Sequence, residues 1–414
     1  MLDLMIDTEE TFLTGAQAAE FLGVKSATLY AYASRGLIES FPADNGRERN
    51  YRLSDLIKLR QAARGVKTTK DAETPTWTGP AIKSSITEIR NDAHAYRGQN
   101  ALDLALANEP FELVAELLWD TQNSSHKAWK KIKPLAIPKQ LKAAASSEVD
   151  YLDLLKLLLV SEEMVDPVAR KLLADDVFDT ARRLIVTMSL TPGLADNRDQ
   201  YIADSDFPIA QTILNALSGN KSRERARLIN CALVICADHE LNASALAARI
   251  AASCDASLYS CLLSALGTFS GSLHGSASKR AEDIVISSQK FKTARAWLKD
   301  YLRQYDSIPG FGTGLYATGD PRAKILIDAA EAFSSKSSHL RRLLEIVACI
   351  REQLGTEPNL DIGLAAISYA LSLPPGSGST IFAISRTAGW IAHSIEQRMY
   401  GGAIRPRARY IGKT

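Results

Sequence analysis

The sequence predicts a mainly α-helical protein in which a small winged helix-turn-helix module precedes a long helical body. Three observations carry this. From Ile82 onward almost every stretch repeats its apolar residues at helical spacing, as Phe111, Val114, Leu117 and Leu118 do. Convincing strand alternation is absent from that body. Strand and hairpin signals gather in one early polar segment, ESFPADNGRERNYRL, between short helical runs.

The chain has 414 residues, enough for two or three domains. Hydrophobic residues make up 46% and charged residues 23%, and the net charge of +2 excludes a strong pull of the whole chain on nucleic acid or membrane. Five cysteines lack CxxC spacing and lie in apolar stretches, which predicts buried free thiols without a disulfide framework or a metal site. The segment MLDLMIDTEE has no signal-peptide core, and no run approaches the roughly 18 apolar residues that span a bilayer. A cytoplasmic protein with no membrane partner is expected.

The front module spans residues 11–66. Thr14 and Gln17 form a capping box that opens a helix over Gly15 to Leu22. Gly23 supplies a turn, and Ser26 is placed to cap a second helix, Ala27 to Ser34. Asp44-Asn45-Gly46 signals a hairpin between two extended runs, after which Ser54 caps a third helix, Asp55 to Arg64. The helix pair, the basic wing and its RNYRLSDL exit resemble a MerR-type DNA-binding module. Eight Lys or Arg face five Asp or Glu across 11–66. The resemblance implies phosphate contacts from Lys25, Arg35, Arg47, Arg49 and Arg52, with Thr28, Tyr30 and Tyr32 on or near the helix that would approach base edges. The bland alternative is a module that has lost DNA and serves in docking or dimerisation. Residues 67–80 are polar, carry two prolines and read as a linker.

In the body, Leu152, Leu155, Leu158 and Leu159 mark one helix, and ASALAARIAAS and ASLYSCLLSALGTFSG mark two that small residues allow to pack closely. Pro192-Gly193, Gly271, Pro309-Gly310 and Pro374-Pro375-Gly376 punctuate the series. Five segments carry recognisable chemistry: CADHELNAS, GSLHG, GFGTGLYATGDPR, Asp361 in EPNLDIG, and SRTAGWIAH. With AYRGQNALDLA ahead of them, they resemble the citrate synthase family over about 80–414, in the family's own order. The resemblance implies a large helical domain (81–276 and 377–414) and a small one (277–376) that closes over the substrates.

It also implies a transferase of the tricarboxylic acid cycle, an obligate homodimer without a permanently bound cofactor or metal, condensing acetyl-CoA with oxaloacetate to give citrate and CoA. A base must take a proton from a weakly acidic methyl group, and one donor must stabilise the enolate oxygen. A second donor must polarise the keto carbonyl under attack. By the resemblance Asp361 is the base and His274 the enolate donor. His239 and Asn242 hold oxaloacetate, Arg322 and Arg386 clamp its carboxylates, and Arg405 reaches the neighbouring subunit's site. Acetyl-CoA and propionyl-CoA, and oxaloacetate and related 2-oxo acids, are not separable at this level.

One position departs. The family's GFGH carries its second donor where this chain has Thr313, and losing such a donor costs on the order of 3–4 kcal/mol. Three readings stay open. The chain is a working synthase with a modified acceptor site; or it is an acyl-CoA or dicarboxylate sensor coupled to DNA through the front module; or it pairs with a second, intact citrate-synthase-like subunit. GFGTG lacks the strand and the GK[ST] of a nucleotide loop. His94, His126, His339 and His393 read as surface or satisfied core histidines.

Overall fold

The computed structural model describes residues 12–22, 24–42, 48–53, 55–56, 59, 82–90, 93–121, 129, 132–146, 148–166, 177–204, 207–305, 307–312, 315–316, 318–334 and 336–408. Strand β1 (Phe12–Thr14) leads into α1 (Gly15–Leu22) and α2 (Ser26–Ser34), and β2 (Ser40–Pro42) and β3 (Arg49–Arg52) follow. These strands form an antiparallel sheet in the order β1-β3-β2. Thr14 and Gln17 exchange hydrogen bonds at the mouth of α1: Thr14 N donates to Gln17 Oε1 (3.2 Å) and Gln17 N to Thr14 Oγ1 (3.4 Å). Ser26 lies inside α2 and does not cap it; Lys25 holds the N-cap position with extended φ/ψ and makes no side-chain cap. Asp44-Asn45-Gly46, Arg47, Ser54 and the linker at 67–80 lie outside the described residues.

A second antiparallel sheet, β4 (Thr87–Arg90), β5 (Ala93–Tyr96) and β6 (Gln99–Asn100), departs from the strand-free body the sequence predicts. Its strands run two to four residues, too short for alternation to register. The YRG string makes its second turn, with Arg97 (φ 44°) and Gly98 (φ 85°) both left-handed, as a two-residue hairpin of the primed type requires. Arg97 is held there by its guanidinium, whose Nε and Nη2 donate to Leu118 O.

The body continues as α3 (Ala101–Leu106), α4 (Phe111–Trp119), α5 (Lys139–Ala144), α6 (Tyr151–Val165), α7 (Val177–Leu190), α8 (Pro208–Ser218), α9 (Arg223–Cys236), α10 (Ala243–Ser253) and α11 (Leu258–Phe269). It closes with α12 (Ala277–Ser288), α13 (Ala294–Gln304), α14 (Pro321–Phe333), α15 (Ser338–Leu354), α16 (Leu360–Leu371) and α17 (Ser377–Tyr400). The last helix is the axis of the molecule. Every residue from Ser377 to Gln397 is buried, and α4, α7, α9, α10, α11 and α12 pack around it. Several of its polar residues are satisfied internally: Ser385 Oγ donates to Leu233 O, Ser394 Oγ to Trp390 O, and Glu396 pairs with Arg249.

Two devices fix the turn after α9, where the CADHE motif lies. Tyr96 Oη on β5 donates to Val234 O (2.9 Å), and Thr87 Oγ1 on β4 donates to Asp238 Oδ2 (2.6 Å). From α17, Gly389 N donates to Ala237 O (3.1 Å), and a Cβ at Gly389 would meet that same oxygen at 2.6 Å. All five cysteines are free, and Cys254 is exposed while the other four are buried. No helix among the described residues is long and apolar enough to cross a membrane, and no His, Cys, Asp or Glu cluster among them could hold a metal ion.

Candidate active site

The motif residues converge where α9, α14, α16 and α17 meet. Asp361 lies in the first turn of α16, whose N-cap Asn359 accepts from its backbone N–H. Its Oδ1 accepts from Ser278 Oγ at 2.5 Å. Burial pushes the carboxyl up to about 6, although the Ser278 bond and the nearby Arg322 pull the other way. A base poised near neutrality is what proton abstraction at pH 7 needs.

His274 sits in the tight loop between α11 and α12. Its ring lies against Phe269 with centroids 5.2 Å apart, and its Nε2 meets Ser244 Oγ at 2.9 Å. Burial, then Arg386, lower the imidazole to about 4, so it is neutral at pH 7. Ser244 has one proton between Asn242 Oδ1 (2.6 Å) and His274 Nε2, and it accepts from Trp390 Nε1 (3.1 Å). Asn242 Oδ1 can only accept, so the serine proton goes to it and His274 Nε2 donates to Ser244 Oγ; turning that proton to His274 puts the ring hydrogen on Nδ1, facing away from the serine.

The two arginines differ. Arg322 is held in a fork by Asp320, Nε to Oδ1 at 2.9 Å and Nη2 to Oδ2 at 2.8 Å. Burial works against its charge, and Asp320 more than offsets it. Arg386 is 1% exposed, donates from Nε to Cys236 O (2.7 Å), and leaves Nη2 buried with no partner. It forms no ion pair among the described residues, and burial lowers its pKa. A buried guanidinium in this condition is a receptor for an anion.

His239 Nε2 lies 2.6 Å from Tyr316 Oη, and its ring packs 5.3 Å from His94. Burial, followed by Arg322, His94 and Arg386, drives His239 well below the usual range, and burial with Arg322 brings His94 to about 3. The sequence reading set His94 aside. Its only signal was adjacency to the YRG string, which places it on β5 against the α9 turn. Ser278, Ser244, Tyr316 and Asp320 are also additions, since short polar side chains within motifs carry no pattern of their own.

Asn242 is drawn into structure: its Oδ1 accepts from Ser244 N and Ala245 N at the start of α10, and its Nδ2 donates to His239 O and Glu240 O. Arg405 is exposed in the C-terminal segment. Thr313 lies outside the described residues, as does Gly314. On the approach to them, Gly312 N donates to Glu357 O (2.9 Å) and Asn359 N to Gly310 O (2.8 Å), tying that loop to the mouth of α16. A cavity of about 700 Å3 borders the site, lined by Arg280, Lys290, Trp297, Tyr301, Tyr305 and Pro309 among others. Arg280 also binds Ser272 O in the His274 loop. Of the front-module candidates, Lys25, Tyr30, Arg35 and Arg49 are exposed, Thr28 is half-buried, and Arg47 lies outside the described residues. His393 is a satisfied core histidine between Arg249 and Asp238.

Known proteins share this architecture. The chain is 38% identical to the citrate synthase of Haloferax volcanii over 225 residues, 52% of this chain and 58% of that one. It is 28% identical to citrate synthase 2 of Bacillus subtilis over 352 residues, 80% of this chain and 94% of that one. A citrate synthase of Thermoplasma acidophilum, solved as a ternary complex with carboxymethyl coenzyme A and oxaloacetate, superposes with a TM-score of 0.71 at 26% identity, covering 84% of this chain and 97% of its own. The family described as citrate synthase, C-terminal domain, matches residues 76–407. The chain belongs to the citrate synthase family.

Proposed function

We propose that this chain condenses acetyl-CoA, or a related acyl-CoA, with oxaloacetate or a related 2-oxo acid to give citrate and CoA, as a homodimer with a modified acceptor site. The observation that carries this is the unpaired, buried Nη2 of Arg386 together with an elevated carboxylate at Asp361, the two linked through Arg322, which acts on both. The first suits a substrate carboxylate, and the second suits a base that must be ionised at neutral pH yet remain reactive. Asp361 takes a proton from the acyl methyl group, and the neutral His274 donates to the thioester oxygen as negative charge builds. The enolate carbon attacks the keto carbon, and water cleaves the resulting citryl thioester, releasing CoA.

Arg386, Arg322 and His239 hold the 2-oxo acid. Asn242 acts behind them by fixing the His239 carbonyl and Ser244. The neighbouring cavity carries four aromatic rings, Phe291, Trp297, Tyr301 and Tyr305, with Arg280 and Lys290 offset by Asp283 and Asp300, so its rings rather than its charge suit the adenine of CoA. Thr313, shorter than histidine and uncharged, weakens polarisation of the keto carbonyl, and Arg405 completes the partner subunit's site. The domain division is 81–276 with 377–414, closed over by 277–376.

A second reading is favoured by exposed Lys25, Tyr30, Arg35 and Arg49 on or beside α2 and β3. In it, a weak or inactive body senses the same ligands and the front module, 11–66, carries a MerR-like DNA contact in the cytoplasm. Pairing with an intact citrate-synthase-like subunit is a variant of this. The deciding measurement is CoA-thiol release from acetyl-CoA with and without oxaloacetate, run beside Thr313→His. Oxaloacetate-dependent release by the native protein sustains the synthase. Silence in the native protein with activity in Thr313→His transfers the case to the sensor.

A further inference from the structure

The N-terminal unit and the body meet at a hollow seam. Leu53, 3% exposed, follows β3 directly, and it lines a cavity of about 300 Å3 with Thr293, Ala296, Leu298 and Lys299 at the start of α13 and Gln353 near the end of α15. The helices that form its walls also make bonds toward the candidate site through residues next to the lining. Trp297 Nε1 on α13 donates to Ser287 Oγ on α12 (3.2 Å), and α12 opens with Ser278, the donor to Asp361. On the other side, Arg351 Nε of α15 donates to Glu357 Oε2 (2.7 Å), and Glu357 O accepts from Gly312 N in the loop that runs on to Thr313.

A tightly packed interface has one seating. A seam with a half-open cleft beside a leucine has room for a second, and small shifts are amplified where two packings compete. We propose that this seam is a ligand-responsive joint: filling the Asp361–Arg386 site moves α13 relative to α15, reseats Leu53, and so passes the state of the site to the N-terminal unit. The inference rests on the ligand class proposed above and holds whether or not the bound ligands react. By linkage, the seam must act back on ligand affinity by the same factor, and such couplings are typically about 5- to 150-fold.

The test is hydrogen exchange on the full chain with oxaloacetate and CoA, read separately at 272–278 with 360–362, at 294–304 and at 49–56. Ala296→Phe serves as the second arm; Ala296 is exposed, and the larger side chain fills the cavity without entering the site. The expected result is slowed exchange at the site accompanied by a change at 294–304 and 49–56. In Ala296→Phe the distant change is lost and oxaloacetate affinity moves by about fivefold or more. Protection at the site with an unchanged seam, or an unchanged affinity in Ala296→Phe, overturns the joint and leaves the ligand assignment standing. No protection at 272–278 and 360–362 overturns both.

Discussion

Ser278 Oγ donates to Asp361 Oδ1 across the space between the first turns of α12 and α16, at 2.5 Å. The bond stabilises the ionised form of a carboxylate that burial would otherwise drive higher still. One hydroxyl therefore helps set the pH at which the proposed base, Asp361, is ionised. Ser278→Ala removes the donor, so the acidic limb of kcat/KM for the proposed citrate formation, expected to follow Asp361 at about 6, should move to higher pH. Ser278→Thr, which keeps a hydroxyl, should restore the limb. A limb unmoved in Ser278→Ala would show that Asp361 is not the titrating base.

The same carboxylate carries a stability prediction. Its folded value of about 6 lies above the ordinary 3.8, so the native state holds its proton more tightly than the unfolded chain. Its contribution is present in full below about pH 3.8 and is lost as pH rises through 6, a difference of roughly 3 kcal/mol. Asp361→Asn, which cannot ionise and still accepts from Ser278, should be the more stable protein at pH 8. The two should converge below pH 4 in urea melts. Equal stability at pH 8 would contradict the burial argument.

Arg386 should behave in the opposite manner to an ordinary buried ion-pair partner. Replacing one member of a buried pair usually strands the other charge, but Arg386 makes no direct ion pair among the described residues, and Asp238, which attracts it, keeps Thr87 and His393. Arg386→Leu should therefore leave the Tm little changed or raised, while oxaloacetate binding weakens by about 10- to 100-fold with the loss of charge-assisted bonds. Calorimetric titration and thermal melts on the same sample separate the two effects. A collapse of the Tm with intact binding would assign Arg386 to the core.

The helical body was legible because its apolar spacing is long and regular. The site was legible only where whole motifs survive: Asp361, His274, His239, Arg322 and Arg386 do converge. What sequence could not supply were partners set by tertiary contact. Ser278 and Ser244 act through one hydroxyl each, and His94 reaches the site only because a four-residue strand pins β5 to the α9 turn. Asn242 shows the converse, a motif residue whose amide is taken up by capping α10 and holding the His239 carbonyl. The strands β4–β6 escaped because two to four residues give no periodicity to count.

Gly389, in the SRTAGW string, explains a requirement that sequence alone leaves mute. α17 approaches the α9 turn closely enough that a Cβ there would lie 2.6 Å from Ala237 O and press on Asp238. The obstacle is backbone, which cannot rotate aside, so Gly389→Ala should cost at least about 1–3 kcal/mol. The displaced turn carries Cys236, whose carbonyl anchors Arg386, and Asp238, which binds Thr87 and His393. Ligand binding should therefore fall along with the melting temperature, whereas Gly267→Ala, at a helical glycine with nothing within 4 Å, should disturb neither. Melting curves and oxaloacetate titrations of the two variants side by side make the comparison, and a Gly389→Ala protein as stable as the native chain would show that α17 can shift away from the turn without harm.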